Sequence, residues 1–416
     1  MKIRSVLLGS LAAVGLSTAG FAADLGVITS LDICDELGLS GLTISSDDNC
    51  LAITGGVSFE YKIGDYADGS FPGPFFWAAF NRVGWNNDGD VDVPDADGGA
   101  DSGLDIDVWL KFVATADSDF GPATATIKLL AEDWNGTGDM PVLIDEAWVG
   151  IGDTTMLMAG KKGSIFNDGD DAPLNYLGLY NSSNVDAGVG FQTEVDTGGA
   201  VIQVVSNLGN GVSIGGGIED LNGSGFLTAV GVLAYAGDGI TAHVSSAYDT
   251  DTADWNIHAG FTGAWDPIKV VGAVAADSGG WWNALGSVSA TFDMFTLAAS
   301  AEATSANEWG AGASLSAAVS DGVTLNIGGR YFDDVSDIYQ LEAGVSAAVT
   351  ESITLTAAIG TEARTAGGII PTDEQYFYGK GGLAWAPGGG FTSSIEGYVN
   401  SYGAYKATFK AAKDIK

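Results

Sequence analysis

From Leu51 onward the sequence alternates between apolar and polar residues with a period of two. This period predicts β-strands that have one apolar face and one wettable face. Most such segments are about ten residues long, which is the length that crosses a bilayer when a strand is tilted, and we count roughly twenty of them. One clear example places Leu104, Ile106, Val108, Leu110 and Phe112 opposite Asp105, Asp107 and Lys111.

Two architectures produce this pattern: a soluble β-sandwich or solenoid with a dry core, and a transmembrane barrel with a lipid-facing surface. Aromatic residues near segment ends favour the barrel, because they form girdles at the membrane interfaces. Charges on the polar face favour it as well, since they suit a watery lumen and are costly in a dry core. The aromatic positions are Trp77, Trp85, Trp148, Trp255, Trp265, Trp281, Trp282, Trp385, Tyr331, Tyr376, Tyr378 and Tyr398, and the charges include Glu60, Lys111, Lys128, Glu132 and Lys380.

One long stretch, Gly160–Ser183, does not alternate. It reads GKKGSIFNDGDDAPLNYLGLYNSS, with two lysines at its start, three aspartates and a proline within an apolar run. Irregular backbone is tolerated at membrane depth only where it lines a cavity or is buried in protein. We therefore predict that this stretch folds into the barrel and forms its constriction.

The N-terminal residues 1–22 have the three parts of a secretory signal peptide: Lys2 and Arg4, an apolar core from Val6 to Leu16, and small residues before the expected cleavage site. The apolar core is shorter than the roughly 20 residues of a spanning helix. We expect export, a periplasmic leader at 23–50 and one β-barrel pore domain at 51–416. Cys34 and Cys50 are expected to form a disulfide, because an exported chain meets an oxidising compartment.

The chain carries 53 acidic and 16 basic residues, a net charge of −37. Without Lys2 and Arg4 the 14 remaining basic residues leave a net charge of −39. Such a balance excludes nucleic acid as a partner, because phosphate contacts need a basic surface. The acidic run Asn86–Ser102 lacks the closing glutamate and the flanking helices of a helix-loop-helix calcium site. We expect a solvated external loop there, with no metal and no cofactor.

Two stretches resemble the alphaproteobacterial general porins, namely CDELGLSGLTISSDDNCLAITGGVSFEY at Cys34–Tyr61 and the GKKGSIFNDGDD core. The resemblance implies an all-β, transmembrane antiparallel β-barrel of 16 strands, with 18 as the alternative. It also implies a homotrimer in which the third external loop narrows each channel. Barrels of this family usually end on an aromatic residue, whereas this chain continues after Phe409 with KAAKDIK. We expect Phe409 to close the last strand.

In a channel of this kind, carboxylates on the loop face basic side chains across the narrowest section, and the field between them orients polar solutes. We predict that the acidic side consists of Asp168, Asp170 and Asp171. The predicted basic side consists of Arg82, Lys111 and Lys128 on early strands, with Lys161 and Lys162 at the start of the loop. The acidic excess predicts a cation preference.

The predicted function is general diffusion of ions and small hydrophilic solutes through an outer membrane that contains lipid and lipopolysaccharide. A sugar-preferring channel and a structural or adhesin barrel remain alternatives. A barrel hydrolase would need a nucleophile beside His243 or His258, the only histidines, and no Gly-x-Ser-x-Gly motif accompanies either one. We therefore do not predict an enzyme.

Overall fold

The structure is a computed structural model, and it describes residues 34, 41–46, 49–65, 101–134, 138, 140–179, 188–221, 227–333, 337–365, 373–401 and 403–415. No helix in these ranges is long and apolar enough to cross a membrane. The alternating segments form 21 β-strands: β1 Leu42–Ser45, β2 Asn49–Asp65, β3 Asp101–Ala116, β4 Ala123–Trp134, β5 Leu143–Gly152, β6 Thr155–Lys162, β7 Gly199–Gly209, β8 Val212–Glu219, β9 Thr228–Gly237, β10 Ile240–Asp249, β11 Trp255–Trp265, β12 Ile268–Asp277, β13 Trp282–Phe292, β14 Phe295–Thr304, β15 Trp309–Ser320, β16 Val323–Asp333, β17 Ile338–Thr350, β18 Ile353–Arg364, β19 Glu374–Gly388, β20 Phe391–Asn400 and β21 Tyr405–Ile415.

Strands β2 to β21 form one closed antiparallel barrel of 20 strands, because each strand pairs with its neighbours in sequence and β21 pairs with β2. The expectation of 16 or 18 strands is therefore wrong. That number came from the family resemblance, whereas the repeated alternation along the chain indicated roughly twenty segments. No local motif fixes the strand number of a barrel, which depends only on how many spanning segments the chain supplies before the first and last strands meet.

The extra strand β1 completes the wall where the last strand stops. Strand β21 pairs with β2 only as far as Gly55 opposite Ile415, and β1 takes over the same edge of β2 from Ile53 to Cys50. The predicted disulfide between Cys34 and Cys50 is present, with both cysteines buried. The bridge therefore fastens the segment before β1 to the first barrel strand.

The two ends of the barrel differ in the length of their connections. At one end the strands are joined by tight turns, such as Asp238-Gly239 between β9 and β10, where both residues have positive φ angles of 53° and 76°. Two left-handed residues in succession give the turn type that matches strand twist, and glycine adopts this conformation without strain. The longest intervals between strands, from Asp65 to Asp101 and from Lys162 to Gly199, separate strand ends at the other end, as is typical of the external end of outer-membrane barrels.

The two faces of the wall separate as the alternation predicts. Apolar side chains point outward and are exposed, as Val57, Ile127 and Ile359 show, while polar side chains on the alternate positions point into the barrel. An apolar outer band around a polar interior is the arrangement of a barrel that spans a membrane.

Aromatic residues form outer girdles at both ends, but with a partly different membership from the prediction. Trp265 and Trp385 lie near the tight turns, and Trp255, Trp282 and Trp309 lie near the long connections, all exposed on the outer face. The prediction was wrong for Trp281, Tyr376, Tyr378 and Tyr398, which are buried, and for Trp148, which faces inward. Trp77 and Trp85 lie outside the described residues.

Candidate functional site

The connection between β6 and β7, residues 163–198, is irregular over its described parts, 163–179 and 188–198, and lies inside the barrel. We call it the inner loop. Its position agrees with the predicted inward fold, although Gly160, Lys161 and Lys162 belong to β6 rather than to the loop. Residues 180–183 of the predicted stretch lie outside the described residues.

The first arm of the inner loop is held by hydrogen bonds that its main-chain N–H groups donate to side chains of the wall. They are Ile165 N to Glu219 Oε1 at 3.1 Å, Asn167 N to Ser245 Oγ at 3.0 Å, Leu174 N to Ser287 Oγ at 2.8 Å and Tyr176 N to Ser314 Oγ at 2.9 Å. These acceptors lie on β8, β10, β13 and β15 in turn. The arm therefore runs across the strands along one side of the inner wall.

The returning arm is held in the same way. Asp277 accepts hydrogen bonds from Gln192 N at 2.9 Å and Thr193 N at 2.8 Å, and its other oxygen accepts one from Trp281 N at 3.1 Å. Asn256 accepts from Val195 N at 2.6 Å, and Glu219 accepts from Gly198 N at 2.6 Å. Because buried amide groups must be paired, these wall side chains specify the path of the loop.

Small residues and apolar packing bring the loop close to the wall. A Cβ atom at Gly260 would lie 2.5 Å from Gly169 O and 2.9 Å from Asp170 Cβ, so only glycine leaves room for the loop there. Gly344 likewise leaves room for the Tyr176 hydroxyl. Apolar side chains of the loop pack on the inner wall as well, with Leu179 and Val189 against residues of β12 and β13. The loop is thus packed against the wall rather than suspended in the lumen.

The tip of the first arm is fastened to β16 and β17 by a buried polar cluster. The Glu342 carboxylate is 2% exposed and accepts hydrogen bonds from Tyr176 Oη and Tyr378 Oη, both at 2.7 Å. Lys380 Nζ lies 2.9 Å from the same carboxylate. Arg330 Nη1 donates to the Leu177 carbonyl at 2.7 Å. Side chains of β16 and β17 therefore bind two consecutive loop residues, and β19 supplies the groups that hold the Glu342 carboxylate in place.

The three predicted aspartates have different environments. Asp168 is exposed, whereas Asp170 accepts hydrogen bonds from Thr241 and from His243 Nδ1, the latter at 3.2 Å. Asp171 accepts a hydrogen bond from Val189 N at 2.9 Å and so joins the two arms of the loop. Burial raises the pKa of Asp171 to about 6, and repulsion from Asp168 adds to the effect.

Lys111 and Lys128 lie directly opposite each other on β3 and β4, at one height on the lumen face. The sequence alone did not show that they share a height. Each is paired with an acid of β5: Lys111 Nζ lies 3.1 Å from Glu146 Oε2, and Lys128 Nζ lies 2.6 Å from Asp145 Oδ2. Two adjacent like charges are thus balanced by two carboxylates.

Lys161 and Lys162 are adjacent on β6 and therefore point to opposite faces. Lys161 shares the outer parity with Leu157 and donates to the Ile144 carbonyl. Lys162 faces the lumen, where its ammonium lies 5.5 Å from the centre of the Trp148 ring and, among the described residues, makes no salt bridge. Arg82 lies outside the described residues. The structure thus brings Lys111, Lys128 and Lys162 to one side of the lumen and places Lys161 elsewhere.

One pair of lumen-side residues was not expected from the sequence. His243 on β10 and His258 on β11 are both buried under the inner loop, and His243 Nε2 lies 2.9 Å from His258 Nδ1. The alternation predicts that both histidines point into the barrel, because their chain neighbours Val244 and Ile257 are exposed on the outer face. Their contact depends on the strand register, which places Ser245 opposite His258 and His243 opposite Gly260.

No protein-family model matches the chain. Outer membrane protein IIIA of Rhizobium leguminosarum bv. viciae is 26% identical over 193 residues, which is 44% of this chain and 44% of that relative. The chain thus matches less than half the length of this curated relative.

Solved structures share the fold over most of the chain at very low identity. OccAB2 of Acinetobacter baumannii is 9% identical, with a TM-score of 0.50, over 88% of this chain and 97% of that chain. OccAB3 of the same organism is 8% identical, with a TM-score of 0.48, over 88% of this chain and 98% of that chain. The fold shared with OccAB2, together with the apolar outer band and the polar interior, is that of an outer-membrane β-barrel.

Proposed function

We propose that this chain is an outer-membrane diffusion channel of the general porin type, which passes ions and small hydrophilic solutes passively. The observation that carries the proposal is the position of the inner loop. Its hydrogen bonds fasten it along one side of a polar barrel, from β7 to β17, and the strands β2–β5 across the lumen carry solvated charges such as Lys111 and Glu146. Barrels of 16 to 18 strands already hold an aqueous channel, and this barrel has 20.

The buried state of the aromatic side chains favours general diffusion over a sugar-preferring channel. Tyr376, Tyr378 and Tyr398 are all buried, and the rings of Tyr378 and Tyr398 stack on each other at 5.7 Å. The Tyr378 hydroxyl is bonded to Glu342 and Gln340. Rings that pack on each other against the wall offer no free face on which a sugar could stack.

We assign the charges of the aperture to Asp168 on the loop and to Lys111, Lys128 and Lys162 on the wall. Asp170 and Asp171 then serve to hold the loop, because their oxygens already accept hydrogen bonds from the wall and from the other arm. We retain the expected cation preference from the acidic excess of the chain.

Planar-bilayer recording of the purified protein tests the proposal. We expect ohmic channel steps, a cation-preferring reversal potential in a salt gradient, and closure in three equal steps if the protein is a homotrimer, as the family resemblance implies. A folded protein that produces no channel steps would contradict the diffusion function and support a structural or adhesin barrel. Strong block by one sugar would instead support the sugar-preferring alternative.

The adjacent lysines of β6 provide a matched test of the aperture assignment. Lys162→Gln removes an ammonium from the lumen, so we expect the cation-to-anion permeability ratio to rise by about twofold. Lys161→Gln removes the same charge from the outer face and should leave the ratio unchanged. The measurement is the reversal potential in a potassium chloride gradient. If the permeability ratio changed equally in the two variants, the net charge of the protein would set the ratio and the lumen position of Lys162 would not.

A further inference from the structure

Three titratable side chains form an unbroken line from the inner loop into the wall. The Asp170 carboxylate lies 3.2 Å from His243 Nδ1, and His243 Nε2 lies 2.9 Å from His258 Nδ1. The two imidazole planes are parallel to within 3°, and both rings are almost fully buried. The line ends at His258 Nε2, which is buried and has no hydrogen-bond partner among the described residues. Phe191 of the loop lies edge-on to this ring at 6.5 Å.

Only one arrangement of protons satisfies every contact in this line. The Asp170 carboxylate accepts from His243 Nδ1–H, and the lone pair on His243 Nε2 accepts from His258 Nδ1–H. His258 Nε2 is then a bare lone pair, which is tolerable in apolar surroundings. The line therefore holds one negative charge and two neutral imidazoles.

Any added proton breaks this arrangement. On His258 Nε2 it would form a buried N–H group with no acceptor, which is costly. On His243 Nε2 it would set two donors against each other unless the His258 tautomer changed, and that change again places an N–H at the buried Nε2. On Asp170 it would discharge the carboxylate that orients the line. Protons therefore weaken the line wherever they add.

On the His258 side of the line, the neighbouring positions of the described strands offer little relief for an additional positive charge. The neighbouring strands present Ala234 of β9 opposite His243 and Ala275 of β12 opposite His258. The nearest carboxylate on the lumen face of β12, Asp277, is occupied by two loop amides. The loop itself adds Asp168 and Asp171, which lie on the Asp170 side of the line.

We propose that Asp170, His243 and His258 form a proton-sensitive clasp that holds the inner loop on the wall and releases it in acid. This regulation rests on the proposed channel function, since a loop released from the wall would move toward the channel axis and narrow the aperture. Once released, the His258 imidazole meets water and binds a proton with the ordinary histidine pKa of about 6.5. The released state therefore binds more protons than the clasped state, and acid favours release.

The test measures the loop directly and the conductance separately. A nitroxide label on Ala172→Cys, an exposed loop position, reports loop mobility, and it labels one site because the two native cysteines are joined in the disulfide. In the otherwise unchanged protein, we expect the label to become mobile as the pH falls below about 6.5, with a parallel fall in single-channel conductance.

His258→Asn is the informative variant. It keeps an amide N–H donor in the place of Nδ1 but takes up no proton in this range, so we expect the acid transition to be lost. Asp168→Asn removes a charge that we assign to the aperture, so it is expected to alter the conductance itself, but it lies outside the clasp and should leave the acid transition of the label in place. Asp171→Asn tests the other titratable group of the loop and should also leave the transition in place.

A transition that persists in His258→Asn would overturn the clasp, and so would one that disappears in Asp171→Asn. Label mobility that is independent of pH in the unchanged protein would overturn it as well. These outcomes are distinct from failure of the channel function. A protein that never conducts but whose label is released in acid would retain the clasp and lose the channel.

Discussion

Glu342→Ala is expected to lower the free energy of unfolding by about 2–4 kcal/mol, because it strands the hydroxyl groups of Tyr176 and Tyr378 in a buried site. The half-exposed Lys380 adds little, since its ammonium can return to water. Loss of this cluster also frees the tip of the inner loop, so we expect noisier single-channel currents. Denaturant unfolding in detergent, followed by tryptophan fluorescence, measures the stability change.

Glu396→Ala is the matched control for this prediction. Glu396 lies on β20 with its side chain exposed on the lumen face, and it makes no hydrogen bond or ion pair with the described residues. Its removal should leave the unfolding midpoint within experimental error. If both variants lost the same stability, the effect would come from the change in lumen charge rather than from the buried cluster.

Gly260→Leu is expected to reduce single-channel conductance by about half, because the new side chain pushes the loop away from the wall and toward the channel axis. The first side-chain carbon would already overlap the Gly169 carbonyl and the ring of His243. Backbone and a buried ring cannot give way as a flexible side-chain end can, so the loop must move. Bilayer recording at neutral pH, where the clasp is closed, measures the change.

Gly286→Leu makes the same exchange on a neighbouring part of the wall. Gly286 lies on the outer parity of β13, and nothing lies within 4 Å of a Cβ atom placed there. A leucine at this position would face hydrocarbon, so conductance should not change. If Gly260→Leu had the same conductance as the unchanged protein, the loop would not set the aperture.

The sequence predicted the parts of this fold that depend on local alternation. The alternation correctly predicted that Lys111 lies on the polar inner face and Leu110 on the outer face, because strand geometry fixes which side chains share a face. The same rule shows why Lys161 and Lys162 cannot both line the lumen. By the same rule, Tyr376 and Tyr378 share a face with Lys380, inside the barrel. The prediction placed them in the outer girdle because it relied on their position near a strand end.

Contacts between distant segments were not predictable. Tyr176 and Glu342 are 166 residues apart, and Asp170 and His243 are 73 apart, so neither pair leaves a local signal. They meet because the register of the wall strands brings these wall positions under the loop. The strand number, by contrast, could be estimated from local pattern. The repeated alternation indicated roughly twenty segments, whereas the figure of 16 taken from the family resemblance was wrong.

The wall holds the inner loop mostly by its main chain, through serine, asparagine and acidic side chains that accept from loop amides. Every residue except proline has such an amide. The side chains of exposed loop positions such as Asp168 and Ala172 take no part in this attachment. Descendants of this chain can therefore exchange those side chains and acquire new solute preferences while the path of the loop is inherited unchanged, so that permeability evolves faster than architecture.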